Sequence, residues 1–195
     1  MGNVRGARAR DQILDAAAAE FVVHGIAGAT IERILERSGM SRGAVHWHFK
    51  TKKDMAASLV EQKHNLWPEL IEEVRKAGFD GVAGVQELMR RAALILRDDL
   101  RARAAMRIAP ELAEGVPGPT AYERWEIALA AFLSQGVQLE EVEESIDVRA
   151  ASRVIVRACL GVYTSAMEAG NANELEQQLE ELWQFLLPGI LRAQP

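Results

Sequence analysis

The 195-residue chain holds a single cysteine, Cys159, so it can form no internal disulfide, and such sparing use of thiols points to a reducing compartment, the cytoplasm. It also lacks a long apolar run. Its longest stretch without Asp, Glu, Lys or Arg is residues 127–139, 13 residues, short of the ~20 a membrane-spanning helix needs. No apolar segment follows Arg5, Arg8 and Arg10, so no secretory signal is expected, and Gly6 stands where a myristoylation signal wants Ser or Thr. Strict apolar/polar alternation is missing too, which argues against strands.

The patterns of enzymes are equally scarce. There is no HExxH, no phosphate-binding Walker loop and no dinucleotide fingerprint. His46 and His48 lie two apart on an expected helix, so they diverge and cannot hold one metal. Asp98 and Asp99 diverge in the same way, which removes a paired-carboxylate site. His24 and His64 are isolated, and Cys159 sits mid-helix on an apolar stretch that reads as core. No catalysis, metal or cofactor is expected.

What is present is helix-forming. Apolar residues make up 49% and charged residues 26%, the mix of a folded protein, and 31 Ala and 20 Leu outweigh 26 Val and Ile. The expected fold is all-α, with about nine helices. Charge divides the chain: residues 1–53 carry nine Lys and Arg against five Asp and Glu, a net of +4, while residues 54–195 net −9. A basic head of residues 1–53 on an acidic body of residues 54–195 fits a nucleic-acid-binding module joined to something else.

The apolar spacing predicts a first helix over residues 7–24, stopped by Gly25, and a second that Thr30 caps and Gly39 stops. Ser41 caps a third helix through His48. A box of Thr51 and Asp54 opens a long fourth helix to about Lys76, kinked at Pro68. Residues 82–113 read as helix broken near 98–101, residues 114–119 as a loop, and 120–138 as helix again. The acidic run 140–144 reads as a solvated loop. In the last two long helices, Ala151, Ile155, Ala158 and Val162 form one apolar stripe. Leu175, Leu179, Leu182 and Leu186 form the other, behind a box of Asn173 and Glu176. Two such stripes suit a four-helix bundle built from two chains, hence a homodimer.

Residues 30–48 are helix, turn, helix, the layout that lays a second helix in the major groove of double-stranded DNA. Gly39 permits the turn, and Ser41 with the first-turn amides can hold a phosphate. Gly43 removes bulk where backbone must approach the duplex. Arg42 can reach a guanine edge or a phosphate, and His46 and Trp47 add polar and apolar contacts. Lys50, Lys52 and Lys53 can pair with phosphates.

The wording Ala16-Ala17, Phe21, Gly25, Thr30-Ile31, Ile34, then residues 38–49 (Ser-Gly-Met-Ser-Arg-Gly-Ala-Val-His-Trp-His-Phe) and Lys52-Lys53-Asp54-Met55 resembles the DNA-binding head of the TetR family of bacterial transcriptional repressors. The resemblance covers about residues 7–60, into the connecting helix. It implies a three-helix head in which Thr30 and Lys52 contact phosphates, the 41–48 helix, with His48 at its end, reads bases, and a dimer binds a palindromic operator. His46 departs from the family's usual Tyr.

The body, through Leu88-Met89-Arg90, Arg103 to Arg107, Pro119, Tyr122 to Trp125, Asp147 and Leu187-Pro188-Gly189, resembles the γ-butyrolactone-receptor branch, ligand-responsive repressors of antibiotic production. That resemblance implies a small apolar or amphipathic effector beside Trp125. Lys63 and Val162 match pocket positions where the branch has Gln and Thr. Two other readings stay open: a multidrug-responsive repressor of an efflux gene, whose branch shares Arg42-Gly43-Ala44 and Trp47-His48-Phe49, and a helical small-molecule-binding protein without DNA-binding activity.

Overall fold

The computed structural model describes residues 2–63, 65–113 and 120–192. Among these the chain is all-helical, with ten α-helices, two short 3-10 turns and one isolated bridge between Val142 and Leu191. The expected loop at 114–119 and His64 lie outside the described residues.

Local chemistry sets the ends of the head's helices. Helix α1 (Gly2–Gly28) is interrupted at Gly25, whose φ of 62° and ψ of −174° leave the helical region before a last turn resumes. Thr30 caps α2 (Ile31–Ser38) by accepting from the Arg33 amide, and Gly39 ends it with φ 65°, in the left-handed region that favours glycine. Ser41 caps α3 (Arg42–His48) by accepting from the Ala44 amide. At α4 (Lys52–Gln62) the expected box forms in full: Thr51 accepts from Asp54, and the Asp54 carboxylate accepts from the Thr51 amide.

The long kinked fourth helix does not form. Helix α4 ends at Gln62 with Lys63 as its cap, and α5 (Leu66–Lys76) starts afresh, so the described residues hold ten α-helices where about nine were expected. Pro68 is the third residue of α5, within the first turn, where no helical acceptor awaits its missing N–H and proline is tolerated without a kink.

Helix α6 (Gly81–Asp98) and α7 (Leu100–Leu112) divide at Asp99, whose side chain caps α7 at the Ala102 amide. Then come α8 (Ala121–Gln138), with a Thr120–Glu123 capping box, α9 (Val148–Glu168), capped by Asp147, and α10 (Leu175–Leu186). The expected box of Asn173 and Glu176 is absent. A 3-10 turn, Ala172–Glu174, leads into α10 without a side-chain cap, and Glu176 pairs instead with Arg90 of α6 at 2.9 Å. Nor is the run 140–144 simply solvated: Val142 is buried and the Glu141 carboxylate accepts from the Val82 amide at the start of α6.

Packing groups the chain into two compact units, and none of their three boundaries falls at residue 53. The first comprises Met1–Asn65 and Asp98–Gly118. Its core is Ile13, Leu14, Phe21, Ile34, Val45, Phe49, Met55 and Leu59, completed by Ala104 and Ile108 of α7. Each large side chain so buried contributes roughly 1.5–3 kcal/mol relative to exposure. The second unit comprises Leu66–Arg97 and Pro119–Pro195. Within it α8 packs on α9 and α9 on α10, and Leu129, Phe132, Leu133, Ile155 and Leu175 are fully buried.

Candidate functional site

Helix α3 is anchored by one apolar residue and otherwise open. Val45 is buried, while Arg42, Gly43, His46 and Trp47 are exposed, Trp47 to 73%. A helix does not leave an indole in water for stability, since burying it would gain energy. The indole is held by its neighbour: its ring meets His48, half-buried, edge to face at 4.5 Å. Around Gly43 nothing lies within 4 Å of the place a Cβ would take, so this side of α3 is free for close approach.

The charged residues of the head are more engaged than their sequence suggests. Arg42 donates to the Glu32 carboxylate at 2.8 Å, both side chains being well exposed. That hydrogen bond holds the Glu32 carboxyl below the usual carboxylate range. Lys50 donates to the His46 carbonyl at the end of α3. Lys52 reaches back to the Ala27 carbonyl at 3.3 Å and to that of Ala29, clasping the passage from α1 to Thr30. An ammonium has three protons. Two are thus committed inside the protein, and one remains for a phosphate.

Sequence reasoning missed Glu20. It is 3% exposed in the head, its Oε1 accepts from Arg37 at 3.2 Å, and Arg33 and His24 stand 3.9 Å from Oε2. A buried carboxylate needs such compensation. The signal was available in the sequence, because Glu20 follows Ala16, Ala17 and Ala18 on the buried face and Arg33 and Arg37 recur four apart on α2. Arg10 was missed as well: it donates to Ser58 at 2.7 Å and lies over the Phe49 ring, joining the start of α1 to the end of α3 and to α4.

The residues expected around an effector are divided between the two units. Lys63 belongs to the first unit, where it pairs with Asp99 and so fastens the end of α4 to the start of α7. Trp125 and Val162 belong to the second unit. There Trp125 is buried against Trp67 of α5, ring centroids 4.9 Å apart and edge to face, and Val162 is half-buried. The neighbouring Tyr163 is buried, with its hydroxyl donating to the Leu96 carbonyl. Trp67 is the partner that sequence reasoning overlooked. Cys159 is buried in α9, and burial pushes its thiol up to about 12, so it stays protonated.

Both expected stripes are taken up in part by the chain's own core, at Ile155, Leu175 and Leu179. In α9 the chain's own core takes Ser152, Ile155, Val156, Cys159, Tyr163 and Ala166, leaving Ala151, Ala158 and Val162 half-covered and Val154 exposed. In α10, Leu175 and Leu179 are buried within the chain together with Trp183, Leu182 and Leu186 are half-covered, and Phe185 is 84% exposed.

A capped helix, a glycine turn and a second short helix with an exposed reading face define a helix-turn-helix protein. Comparison with known proteins agrees. The family described as "Bacterial regulatory proteins, tetR family" matches residues 13–59. The A-factor receptor protein of Streptomyces griseus is 31% identical over 181 residues, which cover 91% of this chain and 62% of that one. The chain therefore spans under two thirds of that receptor's length. A solved structure concerned with control of antibiotic production by bacterial hormones is 30% identical, with TM-score 0.72, covering 95% of this chain and 98% of that chain. The repressor of the Stenotrophomonas maltophilia multidrug efflux pump is 28% identical, with TM-score 0.66, covering 94% and 91%. The chain belongs to the TetR family of bacterial regulatory proteins. Its likeness to the A-factor receptor runs through head and body alike and aligns it with the autoregulator-receptor branch.

Proposed function

We propose that the protein is a ligand-responsive transcriptional repressor that acts in the cytoplasm, binds a palindromic operator as a homodimer and is released by a small amphipathic effector of the γ-butyrolactone type. The observation that carries the reading is α3, a short helix that buries only Val45 and offers Arg42, His46 and Trp47 to the outside beside the open space at Gly43. Thr30, Ser41 and Lys52 flank it as phosphate contacts. Among the described residues no helix is long and apolar enough to cross a membrane. Dimerisation runs through α9 and α10, where Val154 and Phe185 stay uncovered by the chain itself.

In the body, Trp125 with Trp67 gives an aromatic wall suited to a small ring. The likeness to an efflux-pump repressor supports a second reading, in which the effector is a drug-like apolar compound. A mobility-shift titration on DNA upstream of the protein's own gene tests the proposal. The expected result is a shifted complex that a γ-butyrolactone dissolves in the wild type and dissolves poorly in Trp125→Ala. Release by efflux substrates alone favours the second reading, and no complex at all leaves a helical ligand-binding protein.

A further inference from the structure

We propose that Glu32 is a specificity-determining residue, holding the Arg42 guanidinium in the orientation in which it reads one base of the operator. The inference rests on the DNA-binding reading and deepens it.

The two residues come from different helices of the helix-turn-helix. Glu32 lies in the first turn of α2, two positions after the Thr30 cap, and Arg42 is the first residue of α3. Arg42 Nη2 donates to Glu32 Oε1 at 2.8 Å, with relative side-chain exposures of 68% and 70%. An ion pair so open to water stabilises a fold very little. It is also a poor choice on a face that meets phosphates, where an ionised carboxylate repels the duplex. As an acidic residue in the first turn of α2, Glu32 adds a little helix stability, but that gain needs no partner, so it leaves the pairing with Arg42 unexplained.

Specificity explains it. A guanidinium has five N–H donors in a rigid planar fork, and a guanine edge takes two of them at O6 and N7. One proton of Nη2 goes to Glu32, and the remaining donors are sufficient for a base. Arginine has a long, freely rotating stem, so an unheld Arg42 can meet a phosphate as readily as a base edge. Fixing one corner of the fork removes many of those alternatives before the duplex arrives. The carboxylate also discourages phosphate as a neighbour for the same guanidinium. Both effects favour base reading over backbone binding.

The experiment is selection of duplexes from a randomised double-stranded library by the wild type, Arg42→Ala, Glu32→Ala and Glu32→Gln, each checked for an unchanged thermal melt. Arg42→Ala identifies the position in each half-site that Arg42 reads. Glu32→Ala is expected to lower the preference at that same position by about two- to fivefold, the scale of one exposed charge-assisted contact, and to leave the other positions alone. Glu32→Gln, which keeps an acceptor oxygen, is expected to lose less. An unchanged preference in Glu32→Ala overturns the proposal, as does a uniform gain in affinity that leaves every preference intact, the signature of simple repulsion. If Arg42→Ala retains all preferences, Arg42 reads no base and the proposal falls while the DNA-binding reading stands. If the wild type enriches no sequence, the DNA-binding reading itself fails, and this one with it.

Discussion

The Ile26 amide donates to the Glu111 carboxylate at 2.9 Å, joining residues 85 apart in the sequence. The bond exists because Gly25 leaves the helical region and frees that amide from the ladder of α1. Glu111 also accepts from Arg107 at 3.2 Å, so the carboxylate is held from its own helix while it caps another.

Gly25→Ala should therefore be strongly destabilising. A left-handed φ costs a non-glycine residue roughly 1–2 kcal/mol, and the added Cβ would collide with Glu111 Oε1. Denaturant unfolding should give a loss of about 2 kcal/mol or more. Glu111→Ala, which only orphans the amide, should cost about 1–2 kcal/mol.

The Lys63–Asp99 pair has a pH signature. Burial alone would raise the Asp99 carboxyl, but the hydrogen bonds from Lys63 and the Ala102 amide outweigh it, leaving the group below its ordinary 3.8. A carboxyl lowered in the folded state stabilises above its unfolded pKa and loses that contribution as pH falls through the folded one. Asp99→Asn keeps the helix cap and removes the charge. It should cost about 1 kcal/mol near pH 7, and the difference from wild type should shrink only as pH drops below 3.8. Urea midpoints measured across that range check it.

Lys52→Met should act twice. Losing the clasp on the Ala27 and Ala29 carbonyls should lower stability by about 1 kcal/mol. Losing the third proton should weaken all duplexes alike and reduce the salt slope by about one. Thermal melts and affinities at several salt concentrations separate the two effects.

Leu179→Glu and Phe185→Glu, both on α10, should part company. Leu179 is 1% exposed inside the chain, so a charge there should unfold the second unit. Phe185 is 84% exposed, so Phe185→Glu should fold normally, sediment as a monomer and lose operator affinity. A folded Phe185→Glu that remains dimeric would place the contact elsewhere.

What the sequence revealed was whatever local chemistry decides. Thr30, Ser41 and Thr51 cap the helices they precede because a hydroxyl reaches an amide three residues on, and that reach is visible in the sequence. Gly39 was legible for a similar reason. Contacts between residues remote in the chain were not visible. Nothing in the sequence joins Lys52 to the Ala29 carbonyl or Lys63 to Asp99, pairs that only folding brings together. Pro68 is compatible with either a kink or a first turn, and only where the preceding helix stops decides between them. The stripes of α9 and α10 coincide with the buried faces only at Ile155, Leu175 and Leu179, since alanine-rich and leucine-rich helices carry two apolar faces and spacing alone does not say which is covered at home.

The helix-turn-helix is not a detachable cassette. Its core closes only when Ala104 and Ile108, with Leu100 and Leu112 beside them, return from α7. A fragment cut after α4 would lay that seam open to water. Exchange of reading heads between related regulators, by an engineer or by recombination, has to carry two separate stretches of gene, one for the reading helices and one for the strut that shuts them.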